Sequence, residues 1–232
     1  FDAAADGGGG SNSGNDNDTP GSTACALLPP PEVEFVEGDA RDLPFDDGTF
    51  DAVACNFGIL HLRDPDSFLR ESHRVLRPGG RLAFSAWSAP PATEGFAAVL
   101  DSVATAGNLE VPLPDGPPFF RFSDAAEVRR SLEAAGFVDA NSTVVESMEW
   151  TNLDPTSADD LYDVFLEGTA RTRELLRGQT EDETTAIRSD LQRRLDDRAA
   201  AEAAAAASGR KRRWWLRMPA VVSSGRKPPT AD

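Results

Sequence analysis

The run from Phe50 to Ala86 constrains the fold more than any other part of the chain. Its first piece, Phe50 to Cys55 (FDAVAC), is almost continuously apolar, as expected of a β-strand covered on both faces. Asp64-Pro65 then supplies an N-cap followed by proline at the first helical position. Phe68, Leu69, Ser72, Val75 and Leu76 fall on one face at helical spacing, and Pro78-Gly79-Gly80 stops that helix. Leu82 to Ala86 is a second apolar strand. Two strands joined through a helix by short connections form a parallel crossover, so the fold class is α/β.

The flanks extend this unit. Val33, Phe35 and Val36 read as a short strand closed by Glu37-Gly38-Asp39, and Asp46-Asp47-Gly48 as a turn. Thr93 precedes a helix carrying Phe96, Val99, Leu100 and Val103. Ser123 or Asp124 caps a helix with Val128 and Leu132; Gly136 ends it in a left-handed conformation, with Phe137 placed to touch Leu132. Val138 to Trp150 is a long strand candidate, and Ser157 opens a helix with Leu161, Val164 and Phe165. Thr180-Glu181-Asp182-Glu183 is a capping box before Ile187, Leu191 and Leu195, in a helix expected to run through the alanines to Gly209. Trp214 to Val222 is a final strand, where Pro219 implies an edge or a bulge. Residues 1–31, with their glycine run and Pro29-Pro30-Pro31, read as a low-complexity segment that buries no core. The domain expected is 32–227, with a lid-like helical insertion over about 152–209 and a tail at 228–232.

Bulk properties narrow the function classes. A net charge of −16 argues against general affinity for nucleic acid or anionic membrane. Two cysteines, Cys25 and Cys55, are too few for a disulfide framework and suit a reducing, cytoplasmic setting. No stretch approaches the ~20 apolar residues of a membrane span, no signal peptide is recognisable, and nothing suggests a metal site. The oligomeric state is not encoded in any pattern.

Three motifs occur in order: Gly38-Asp39-Ala40 with Leu43-Pro44-Phe45; Phe50-Asp51-Ala52-Val53 leading through Asn56-Phe57-Gly58 to Leu60-His61; and Val75-Leu76-Arg77-Pro78-Gly79-Gly80-Arg81-Leu82. This series resembles the class I S-adenosylmethionine-dependent methyltransferases of the ubiquinone/menaquinone-biosynthesis type (methyltransferase type 11). The ending Met218-Pro219-Ala220-Val221-Val222 with Gly225-Arg226-Lys227 is similar too. The resemblance implies a Rossmann-like sheet with an antiparallel C-terminal strand pair, S-adenosylmethionine as cofactor, and methyl transfer to a small-molecule acceptor. It also implies that the Asp39 carboxylate accepts from the adenine amino group and that the Ala40 N–H donates to a ring nitrogen. Asn56, Phe57 and Gly58 would contact the cofactor, with Gly58 allowing close approach.

Each assignment has a plainer alternative. Asp39 suits a strand-ending turn, and Asn56 to Gly58 an ordinary strand-to-loop transition. His61 is a candidate general base, but methyl transfer depends mostly on alignment, and a packing or surface role suits it better. Pro78-Gly79-Gly80 is structural on either reading. His73 has no assigned role. The tryptophans and the helices over 157–209 form a lid over an apolar acceptor, pack on the domain through Leu161, Phe165, Ile187, Leu191 and Leu195, or do both. Arg210 to Arg213 reads as a solvated connection.

Two parts of the family pattern have no counterpart: the glycine-rich loop after the first strand and the acidic residue after the second. The expectation is therefore an N-terminally truncated methyltransferase, a fragment with an incomplete sheet, inactive or weak by itself. The rival of a different class is a non-catalytic scaffold module derived from a methyltransferase. A nicotinamide-dependent dehydrogenase shares the sheet but not the VLRPGG ending.

Overall fold

In the computed structural model, residues 32–145, 157–208 and 216–230 are described, and the chain divides into two units, Phe1–Glu37 and Gly38–Asp232. In the first unit, residues 32–37 form no strand, and Phe35 is 95% exposed. The strand expected at Val33, Phe35 and Val36 is thus not formed among the described residues. A strand exists through its ladder, and apolar alternation supplies no partner.

The second unit begins with a tight turn in which Asp39 bridges Asp42. Strand β1 (Phe50–Cys55) leads to helix α1 (Pro65–Val75) and strand β2 (Leu76–Trp87), with β1 and β2 parallel. The crossover read from the sequence is present. Asp64 caps α1 as expected, accepting from the Ser67 amide at 3.0 Å. The helix ends earlier than expected, at Val75, and Pro78-Gly79-Gly80 lies inside β2 as an irregularity. Leu76 pairs with Phe50, while Arg81 already pairs with Ala52. β2 thus takes up extra residues where it leaves the helix.

Helix α2 (Glu94–Ala106) follows Thr93, and α3 (Ala125–Ala134) is capped by Asp124. Gly136 has φ +92°, and the Phe137 N–H donates to the Leu132 carbonyl at 3.0 Å, which is the Schellman ending expected there. Strand β3 (Val138–Val145) precedes α4 (Ala158–Gly168), a short α5 (Arg171–Arg177) and the long α6 (Glu181–Ala207). The capping box closes as read: the Thr180 amide donates to the Glu183 carboxylate, and the Glu183 amide to the Thr180 hydroxyl. Strand β4 (Ala220–Arg226) completes a sheet of order β1-β2-β4-β3, antiparallel to both neighbours. Pro219 immediately precedes β4, which is an interior strand, so of the edge or bulge that the proline implied the edge is not found. Trp150, Gly209, Arg210 to Arg213, Trp214 and Trp215 lie outside the described residues.

Two apolar clusters hold these elements. One lies between the sheet and α1 and α3, around Leu69, Leu82, Phe84, Phe122, Leu132 and Phe137. The other joins α2 to α4, α5 and α6 around Phe96, Tyr162, Phe165, Ile187 and Leu191. Trp87 and Phe119 border both. Arg121 ties the segment after α2 to the first cluster, pairing with both Asp66 oxygens at 2.9 Å and with Glu127 at 2.7 Å. β1 is less covered than its composition suggests: Asp51, Ala52 and Ala54 are exposed, and its neighbour among the described residues is β2. Among the described residues no helix is long and apolar enough to cross a membrane.

Candidate functional site

In open α/β sheets, ligands gather beyond the carboxyl ends of the parallel strands. Here that end is built by residues following Cys55 and Phe84, which are register partners. One step further, the Ser85 hydroxyl donates to the Asn56 side-chain oxygen at 2.7 Å and accepts from the Phe57 amide at 2.9 Å. Phe57 has φ 55°, a left-handed conformation that is unfavourable for a bulky residue. Two contacts hold it there: the bond to Ser85 and a stack on Trp87 with ring centroids 4.2 Å apart. Gly58 then turns back on the strand, so closely that a Cβ would lie 2.9 Å from Cys55 Sγ. The result is a strained, well-tied turn that leaves Asn56 exposed. Burial pushes the Cys55 thiol pKa up, keeping it protonated.

Asp39 has a different setting. Its carboxylate accepts from the Arg41 amide at 2.9 Å and from the Arg41 guanidinium at 2.7–3.2 Å. Arg41 also feels the charge of Asp64, the cap of α1 immediately after the loop that contains Asn56. The Asp39 carboxylate is thus engaged by its own turn. The side-chain bond from Arg41 holds the Asp39 pKa down to about 2. With its pKa depressed, Asp39 stays ionised as pH falls until about 2. A carbon-13 titration checks this, and Arg41→Gln is expected to return the midpoint toward the ordinary aspartate value of 3.8. Ala40 is half-buried against the sheet cluster.

His61 is exposed, with its ring 6.5 Å from Phe119 in an edge contact. It lines a cavity of about 170 Å³ together with Arg63, Asp115, Gly116 and Arg171. His73 packs edge-on against Phe137 in the helical layer, away from this end. Leu161, Phe165, Ile187, Leu191 and Leu195 are buried together in the helical cluster. Sequence reasoning missed Ser85, whose signal was a polar residue inside the apolar run Leu82 to Trp87. It also missed Arg63 and Arg171, which carry no local signal.

With this geometry in view, the comparisons with known proteins decide the relationship. A methyltransferase domain family matches residues 15–84. A demethylmenaquinone methyltransferase of Mycolicibacterium gilvum is 39% identical over 132 residues, covering 51% of this chain and 52% of that protein. Over these stretches the chain is similar to methyltransferases of the class I, S-adenosylmethionine-dependent kind. A second demethylmenaquinone methyltransferase, from Clavibacter sepedonicus, is 52% identical over 59 residues, or 25% of this chain and 24% of that protein. The chain thus spans about half, or less, of the length of the curated relatives it matches. A solved Bacillus halodurans protein provisionally assigned as a methyltransferase is 22% identical with a TM-score of 0.42, covering 84% of this chain and 78% of that one. The family match begins at residue 15, inside the stretch read from composition as low-complexity, which lies outside the described residues up to residue 31.

S-adenosylmethionine is the cofactor of this family. At the Asn56 turn the residues present fit it: an exposed amide side chain, a turn too tight for a side chain at position 58, and a backbone held by Ser85. At Asp39 the fit requires Arg41 to release the carboxylate.

Proposed function

We propose that this chain supports S-adenosylmethionine-dependent methyl transfer to a small organic molecule, with Asn56, Phe57, Gly58, Asp39 and Ala40 on the cofactor side. The observation that carries the reading is the left-handed Phe57, tied to Ser85 beyond the parallel strands. Such strain persists where surrounding structure over-determines it, and it clusters at ligand sites. The similarity to demethylmenaquinone methyltransferases supports a quinone-like ring as the acceptor.

The cofactor supplies an electrophilic methyl carbon on a sulfonium. The chain's part is to hold the Asn56 turn rigid, so that an acceptor beyond β1 and β2 meets that carbon in line. Bound there, the cofactor would supply the methyl group to a carbon, nitrogen or oxygen of the acceptor, and solvent or His61 would take the acceptor's proton. Alignment supplies most of the rate, so His61 is not required as a base.

By itself the chain is expected to bind the donor weakly, because few of its groups are placed to grip it. Titration with S-adenosylhomocysteine should shift the amide resonances of Ala40, Phe57 and Gly58, with a Kd of about 1 mM or a few-fold below. Absence of any shift at these residues at saturating ligand sinks the site. Micromolar affinity sinks the weakness. The scaffold alternative draws on one observation, the Asp39 carboxylate already taken by Arg41, and it gains ground if Arg41→Gln leaves the titration unchanged.

A further inference from the structure

Two cavities meet at Arg171. The first, of about 170 Å³, is the polar cup beside His61, walled by the loop after β1, by residues 114–117 and by the start of α5. The second, of about 220 Å³, is apolar, lined by Leu100, Leu113, Phe119, Phe120 and Leu175. Together they reach the size of a small-ligand site, about 300 Å³ or more. Phe119 links them, since its ring lines the apolar chamber and lies 6.5 Å from that of His61.

The charges of the cup run against those of the chain. The protein carries a net charge of −16, and among the described residues most of its other arginines pair with carboxylates, as Arg41 with Asp39, Arg74 with Glu71, Arg121 with Asp66 and Arg188 with Asp159. Arg171 instead donates one guanidinium nitrogen to the carbonyls of Gly116 and Pro117, at 3.1 and 2.8 Å. Its other donors remain for a ligand. Arg63 is exposed and makes no ion pair among the described residues. Gly116 brings the two together, because a Cβ there would lie 3.9 Å from Arg63 Cα and 3.5 Å from Arg171 Nη1. Asp115 is the acidic residue lining the cup, and it pairs with neither arginine.

We propose that the two cavities form one acceptor pocket, whose ligand is a small apolar molecule with an anionic head held between Arg63 and Arg171. Two guanidinium groups without carboxylate partners in an acidic protein suit a carboxylate or an ionised hydroxyl. The aromatic chamber then takes the apolar body. That the ligand is a methyl acceptor rests on the function proposed above; that the pocket binds such an anion does not.

The test uses the full chain without methyl donor, with 2-naphthoate and the neutral 2-naphthamide as probes. The naphthoate is expected to bind about tenfold more tightly than the amide, the discrimination that one charge-assisted pair gives. Arg63→Gln, at an exposed side chain without a protein partner, should reduce that ratio to about twofold or less while leaving amide binding unchanged. Arg171→Gln should do the same, but it also frees the 116–117 carbonyls, so Arg63→Gln is the deciding variant. No saturable naphthoate binding, equal affinity for the two probes, or a ratio untouched by Arg63→Gln overturns the proposal. A separate titration with S-adenosylhomocysteine shows whether the methyl-transfer reading fails on its own.

Discussion

Phe165→Ala is expected to cost about 3–5 kcal/mol of stability, the range for truncating a fully buried aromatic. Phe165 is 0% exposed at the centre of the helical cluster, with its ring 4.6 Å from that of Phe96 in an edge-on contact. Gly95 of α2 lies against it: a Cβ there would be 3.4 Å from the Phe165 ring. The ring therefore bonds α4 to α2, and Phe96 in turn touches Phe119 and Phe120 beside the apolar cavity. A domain of this kind has about 5–15 kcal/mol in total, so the loss is a large share of it. Urea unfolding followed by circular dichroism should show the midpoint falling sharply. A shift under about 1 kcal/mol would mean that the helical layer does not rely on this ring.

The second large effect separates two adjacent glycines. A Cβ at Gly80 would lie 2.9 Å from the Arg77 carbonyl oxygen and 3.0 Å from that of Asp51, both backbone atoms that cannot swing aside. Gly80→Ala must therefore push β1 away from β2 where β2 leaves α1, at an expected cost of about 2–3 kcal/mol. Gly79 has φ +82° but nothing within 4 Å of a would-be Cβ. Asparagine tolerates the left-handed region, so Gly79→Asn should cost about 1 kcal/mol or less. Hydrogen exchange at the β1 amides distinguishes them: faster exchange in Gly80→Ala, near-native exchange in Gly79→Asn. Equal effects of the two changes would refute the steric account. The same measurement reads the parallel pair that supports the Asn56 turn.

Much of the fold was legible because its signals are local. The cap at Asp64, the Schellman ending at Gly136 and the box between Thr180 and Glu183 each satisfy backbone groups within a few residues. The crossover from β1 through α1 to β2 follows from short joints. The strand expected around Phe35 failed for the opposite reason: alternation marks a segment able to pair, and no ladder forms on residues 32–37. The edge position offered for Pro219 failed likewise, since a proline just before β4 leaves that strand's ladder intact and compatible with an interior position.

The site divides along the same line. The residue order Asn56-Phe57-Gly58 after an apolar strand was enough to locate the turn, because chain direction places it at the carboxyl end of a parallel strand. Its rigidity was invisible, since Ser85 reaches Asn56 only through the register of β1 on β2. The engagement of Asp39 by Arg41 depends on a local turn and a chosen rotamer. Arg63 and Arg171 come from distant parts of the chain and share a cavity only because the start of α5 and the 114–117 loop meet residues 60–63. Sequence by itself determined the elements, their caps and the parallel crossover, all set by sterics and hydrogen bonds between near neighbours. Tertiary structure alone decided which polar side chains meet, because that follows from the packing of helices against a sheet, where burial acts without regard to separation along the chain.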